Sequence, residues 1–141
     1  MGLLDDYSGI GMSPRPKWEH QEILMKCIRR AYDELAEQGL RIVPEATVTN
    51  DWNDKAPDLV IFDSDHYPLS IIEITTHKDF PEIIEKCEEL MERFPDSDYF
   101  VYDYERLTLY VYDGIEDSWI SSKDYEILSR YLGRPLLNYL T

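Results

Sequence analysis

Pro57-Asp58-Leu59-Val60-Ile61-Phe62-Asp63, then Ser64-Asp65-His66-Tyr67-Pro68, then Leu69-Ser70-Ile71-Ile72-Glu73-Ile74-Thr75-Thr76: this stretch decides the fold. Its two outer runs are short, apolar and rich in β-formers, and the middle run is turn chemistry. Together they predict a β-hairpin. Each strand carries a carboxylate in apolar company, Asp58 at the start of the first and Glu73 between Ile72 and Ile74. An ionised group in such a run costs free energy unless something pairs with it. Centring the loop between Asp65 and His66 sets Asp58 opposite Glu73, with Cβ atoms about 5 Å apart. Two anions that close repel unless a cation or a proton bridges them. Oxygen donors of this kind suit Mg²⁺ or Mn²⁺, and the backbone carbonyl of Ile74 is at hand as a further metal ligand. Thr75 lies two residues beyond Glu73 and shares its face. A slip of one residue would turn Glu73 to the other face. The competing reading leaves Glu73 pointing at water from an edge strand, with Asp58 only shaping the strand entry after Pro57.

Working outward, residues 1–16 hold three glycines and two prolines and predict an irregular arm. From Lys17 to about Gln38 the pattern is helical, with Ile23, Leu24, Cys27, Ile28, Ala31 and Leu35 at three- and four-residue spacing. Gly39 marks its stop. Arg41 to Thr49 reads as extended and Asn50 to Asp54 as a turn. After the hairpin a second helix is expected, capped by Asp79, with Pro81 and Glu82 in its first turn. Its apolar stripe is Ile83, Ile84, Cys87, Leu90, Met91 and Phe94. Tyr99–Asp103 and Leu107–Tyr112 predict a second hairpin, and Asp124 to about Tyr131 a short helix. The order is α-β-β-β-α-β-β and the class α/β, a mixed β-sheet flanked by helices. The 141 residues fit a single α/β domain over 17–141.

Bulk chemistry narrows the options. Fourteen Lys and Arg against 29 Asp and Glu give a net charge of −15. That argues against strong non-specific binding to nucleic acid unless metal ions or a partner supply positive charge. A hydrophobic fraction of 43 % argues against disorder. No apolar run is long enough to span a membrane, and Met1 to Asp6 does not read as a secretory signal. Cys27 and Cys87 lie far apart in helical patterns, so two buried thiols in a reducing, cytoplasmic compartment are expected rather than a disulfide or zinc site.

Other polar residues have two readings each. His20 aligns with Ile23, Leu24 and Cys27 and so faces inward, either towards the carboxylates or as a hydrogen-bonded histidine at the core edge. Glu22 is a further first-helix candidate. Lys86 borders the buried stripe of the second helix; it either reaches back to the strand ends or pairs on the surface with Glu82 or Glu89. Tyr99, Tyr102, Tyr104, Tyr110 and Tyr112 are read as sheet packing rather than as base-stacking platforms.

Pro57-Asp58 followed by Glu73-Ile74-Thr75 resembles the signature of the PD-(D/E)XK nucleases. The likeness extends to one branch, the widespread bacterial family assigned as restriction endonucleases and abundant in cyanobacteria. Met12-Ser-Pro-Arg-Pro-Lys-Trp-Glu-His20 looks like that branch's entry to its first helix, and Glu73-Ile-Thr-Thr76 like its second motif. Glu85-Lys86, Tyr99-Phe-Val-Tyr-Asp103 and Val111-Tyr112 follow in order, so the match covers about residues 12–113. The resemblance implies a restriction-endonuclease-like fold. It also implies an Mg²⁺- or Mn²⁺-dependent endonuclease, a hydrolase acting on nucleic acid, DNA foremost, with a homodimer as one assembly. Asp58, Glu73, Lys86 and His20 would be its catalytic residues, and Asp58, Glu73 and Ile74 its metal ligands. One departure stands out: Thr75 occupies the place of the signature lysine. In this branch the lysine is supplied from the following helix, which implies Lys86, with Lys78 as competitor. The alternative is a catalytically inactive descendant of the fold serving as an interaction module.

Overall fold

The computed structural model describes residues 18–48, 56–124 and 126–141. The expected arm at 1–16, Lys17 and the turn at Asn50–Asp54 lie outside them. The element order is α1 (Trp18–Ala36), β1 (Arg41–Pro44), β2 (Leu59–Phe62), β3 (Pro68–Thr75), α2 (Phe80–Arg93), β4 (Asp98–Asp103), β5 (Thr108–Asp113), β6 (Ser118–Ser122) and α3 (Leu137–Leu140). The six strands form one sheet in sequence order, antiparallel except for the β3–β4 pair. That parallel pair needs a crossover, and α2 provides it.

Each face of the sheet is covered by a helix, as period-two alternation requires. Leu59, Ile61, Ile72 and Ile74 pack with Leu24, Cys27, Ala31 and Leu35 of α1. Val60, Phe62, Ile71 and Val101 pack with Cys87 and Leu90 of α2. The two cysteines are therefore buried, free and in opposite layers. Burial pushes the Cys27 thiol up to about 12 and raises Cys87 as well, so both are inert core side chains. Tyr99 and Tyr102 are buried in the two layers, and the Tyr99 hydroxyl donates to the Phe94 carbonyl at 2.7 Å.

The predicted hairpin forms with the expected register in its body, but the register shifts between Ile61 and Phe62, so Phe62 pairs with Pro68 and the loop is not centred between Asp65 and His66 as expected. Leu59 pairs with Ile72, Val60 with Ile71 and Ile61 with Ser70, and one further step sets Asp58 opposite Glu73. The loop is clamped by Asp63, whose Oδ1 accepts from the Asp65 and Tyr67 amides at 2.9 Å each. α1 ends as expected: Gly39 takes φ +76°, and the Leu40 amide donates back to the Leu35 carbonyl at 2.9 Å.

Four expectations need correction. β1 stops at Pro44 rather than Thr49, because Glu45 turns to φ +49°, its amide making a last cross-strand bond to the Asp58 carbonyl at 2.9 Å. Asp79 sits at the α2 N-cap but makes no side-chain capping bond. β6 was not foreseen; its Ser-Trp-Ile-Ser-Ser sequence is a half-exposed edge strand with too few apolar residues to show a pattern. The helix expected at Asp124–Tyr131 does not form among the described residues. So short a helix is marginal on its own. Ile127 and Leu132 instead anchor an irregular segment, and α3 further on buries Leu137, Tyr139 and Leu140 beside α1.

Leu35, near the C-terminal end of α1, is fully buried in the α1 layer. Leu35→Ala should cost about 2–5 kcal/mol in urea unfolding, through lost burial and a residual cavity. Ile115→Ala, at a 93 % exposed turn, should change stability by less than about 0.5 kcal/mol.

Candidate functional site

Glu73 follows the alternation of Ile71 and so enters the α2 layer, where a hydrophobic side chain would otherwise sit. It is 1 % exposed. Lys86 lies six residues into α2 and brings its Nζ to 2.8 Å from Glu73 Oε2, while also donating to the Ala56 carbonyl at 3.1 Å. The Lys86–Glu73 contact is a close ion pair rather than an aligned hydrogen bond, and Oε2 has no other hydrogen-bond partner. Glu73 Oε1 accepts from the Asp58 amide at 3.3 Å.

Asp58 returns the contact across the strands. Its Oδ2 accepts the Ile74 amide at 2.7 Å and lies 3.2 Å from His20 Nε2. His20 reaches it from the first turn of α1 on the opposite face of the sheet. The two carboxylates therefore form the floor of a site to which both helices contribute one basic group each. These contacts line an open cleft of about 670 Å³, together with Glu45, Thr75, Lys78 and Asp79.

Burial, and then the charge of Asp58, push Glu73 up to about 7. Asp58 moves the other way despite its own desolvation, held low by its hydrogen bonds to His20 and to the Ile74 amide. His20 is raised above its ordinary 6.5, chiefly by the same bond to Asp58. One carboxylate is thus kept ionised and its neighbour resists ionisation, the behaviour of two carboxylates sharing one site.

Of the residues singled out in the sequence, His20, Asp58, Glu73, Ile74 and Lys86 are brought together. Lys78 lines the cleft but forms no ion pair with either carboxylate. Glu22 is exposed and does not line it. Thr75 lines the cleft, and its hydroxyl is engaged with the Thr76 carbonyl at 2.9 Å. No local pattern in the sequence foretold the acidic walls. Glu45, Asp79, Glu82 and Glu105 join Asp58 and Glu73, against two lysines. Lys26 and Arg30 point elsewhere, to the Thr141 and Asn138 carbonyls. Nor was Asp103 foreseen as a polar anchor: fully buried, it accepts the Glu105 and Arg106 amides and holds His77 Nδ1 at 3.1 Å. Its position closing a β-strand before a tight turn is the signal that could have identified it.

The donor set fits a small divalent cation. Two carboxylates converge, and one buried oxygen lacks an aligned donor. Among the described residues no three His, Cys, Asp or Glu side chains form a ready-made cage. Mg²⁺ commonly takes only one or two carboxylates and keeps water and substrate oxygens for the rest.

A crystal structure described as "a putative nuclease belonging to DUF820", from Anabaena variabilis, has the same fold. It matches with a TM-score of 0.61 over 92 % of this chain and 86 % of that one, at 15 % identity. The chain thus has the mixed-sheet α/β fold of that nuclease-like neighbour. No family model and no curated protein matches the sequence. Among the described residues, no helix is long and apolar enough to cross a membrane.

The coupled pair sets a pH dependence for the metal-free protein. Glu73 and His20 both bind protons more tightly folded than unfolded, so their contribution is complete at low pH and is lost as pH rises. For Glu73 the loss runs from about 4.5 to about 7. Asp58 acts oppositely and is lost only below its ordinary 3.8. In chelator, urea unfolding free energy should fall between pH 4.5 and 7, and Glu73→Gln should flatten that fall. An unchanged slope in the variant would contradict the assignment.

Proposed function

We propose that the cleft is the active site of a metal-dependent nuclease of the PD-(D/E)XK kind, hydrolysing nucleic-acid phosphodiesters, DNA foremost. The observation that carries this reading is Glu73. A carboxylate 1 % exposed in an apolar strand, with a lysine at 2.8 Å and an oxygen lacking an aligned donor, is poorly explained as a stability device. Replacing a buried ion pair by apolar groups is often neutral or stabilising, and perturbed carboxylates in clefts mark functional sites. The fold shared with the nuclease-like neighbour supports the same reading.

Asp58, Glu73 and the carbonyl of Ile74 would hold Mg²⁺ or Mn²⁺. The ion, when bound, would polarise the phosphoryl oxygen and lower the pKa of an attacking water. Lys86 is the ammonium beside Glu73, standing in for the lysine that Thr75 replaces in the strand. Its charge is placed to orient the water or to stabilise the anion that builds on phosphate. His20 fixes the orientation of Asp58 and can exchange a proton with it. The acidic walls repel a polyanion, so substrate affinity is expected to depend steeply on divalent cation.

Those walls and Thr75 favour one other reading, a catalytically inactive fold relative that acts as an interaction module. Calorimetric titration with Mn²⁺ and Mg²⁺ separates the two. Wild-type protein should bind, and the Asp58→Ala/Glu73→Ala double variant should not. With Mn²⁺, plasmid and single-stranded DNA should be degraded, and Glu73→Ala or Lys86→Ala should lower the rate by about 100-fold or more. Absence of binding removes the metal site. Binding without cleavage under varied conditions leaves the interaction module.

A further inference from the structure

α1 buries one face and leaves a second apolar row uncovered. Trp18, Met25 and Tyr32 recur at seven-residue spacing and are 82 %, 61 % and 55 % exposed. On a helix, residues seven apart lie on one stripe. This stripe faces roughly away from the row of Ile23, Cys27, Ala31 and Leu35 that meets the sheet. A tryptophan, a methionine and a tyrosine are the side chains enriched where protein surfaces meet. Single exposed apolar residues are ordinary, but three in register on one helix form a seam.

We propose that the seam is the site where a second copy of this chain docks, through antiparallel packing of α1 on α1. Two observations choose that occupant. The first is charge. The chain carries −15, yet α1 holds Glu19, Glu22, Asp33 and Glu34 against Lys26, Arg29 and Arg30, a net of −1. α1 therefore offers an approach to another copy with little like-charge repulsion. The second is self-complementarity about Met25. A two-fold axis beside Met25 brings Trp18 of one copy to Tyr32 of the other and sets Met25 against its own counterpart. Glu22 and Arg29 flank the seam on one side, three residues before Met25 and four after it. An antiparallel two-fold pair brings equal flanks together. Glu22 of each copy then lies beside Arg29 of the other, and two symmetric ion pairs close the contact. A contact that is its own complement is what an isologous dimer requires.

The seam spans 15 residues, or about 22 Å of helix. That is small against the ~1,200–2,000 Å² of a standard interface, so a weak, concentration-dependent dimer is expected. The inference stands apart from the reading of the cleft, since Trp18, Met25 and Tyr32 do not line it.

The test is sedimentation equilibrium of the full chain from about 5 to 500 μM, spanning the weak end of specific affinities. The expected result is a monomer–dimer equilibrium. Met25→Glu should weaken it at least tenfold, with an unchanged far-ultraviolet circular dichroism spectrum. Glu22→Arg alone and Arg29→Glu alone should each weaken it, and the Glu22→Arg/Arg29→Glu double variant should recover most of the loss. A monomer throughout overturns the proposal and leaves the stripe to another occupant. A dimer indifferent to Met25→Glu, or a double variant no better than the singles, overturns it as well.

Discussion

The structure turns on one carboxylate and one ammonium held together in a layer built for hydrocarbon. Glu73 stands where the β3 alternation and the α2 packing call for an apolar side chain, and Lys86 is the group that makes its charge tolerable. Isolated, that carboxylate would be strongly destabilising. Its neighbours are arranged around it: the Asp58 amide at Oε1, the Lys86 ammonium at Oε2, and Asp58 itself held by His20 and the Ile74 amide. The sheet register, the start of α1 and the second turn of α2 must all be right for these atoms to meet. The fold is thus coupled to the site through a short chain of polar contacts.

Electrostatics gives the cleft its character. Two carboxylates side by side cannot both ionise freely, so burial and repulsion raise Glu73 while His20 and the Ile74 amide hold Asp58 low. Lys86 and His20 offset part of the negative charge, and the walls add more of it. A site so constituted draws cations before it draws anions. Under the proposed function, substrate phosphate meets the protein through a metal ion rather than through a basic rim.

Much of this was legible in the sequence, for identifiable reasons. The Asp58–Glu73 opposition follows from a strand period of two and a compact turn, and it holds although the register shifts by one residue near the turn. The inward position of His20 follows from helical spacing with Ile23 and Cys27. Lys86 reaching Glu73 is compatible with that spacing but was pointed out by resemblance, since periodicity alone allows a surface pair with Glu82 or Glu89. What was not legible has physical causes. β6 is an edge strand whose two large residues, Trp119 and Ile120, show no alternation. Residues 124–131 look weakly helical because local composition says nothing of the anchoring by Ile127 and Leu132. The acidic walls gather Glu45 just after β1, Asp79 and Glu82 at the start of α2, and Glu105 in the β4–β5 turn, which no local pattern assembles. Asp103 stood out in the sequence only as the end of the Tyr99–Asp103 motif; its anchoring role follows from its burial and from the turn amides it accepts.

The central claim is that Asp58 and Glu73 are metal ligands, and direct observation of the ion tests it most sharply. Crystals grown with Mn²⁺ and measured for anomalous scattering should show a peak about 2–2.5 Å from oxygens of both carboxylates, with the Lys86 ammonium beside it. A cleft without such a peak at saturating Mn²⁺, or a peak held instead by the outer wall at Glu45, Glu82 or Glu105, would contradict the account.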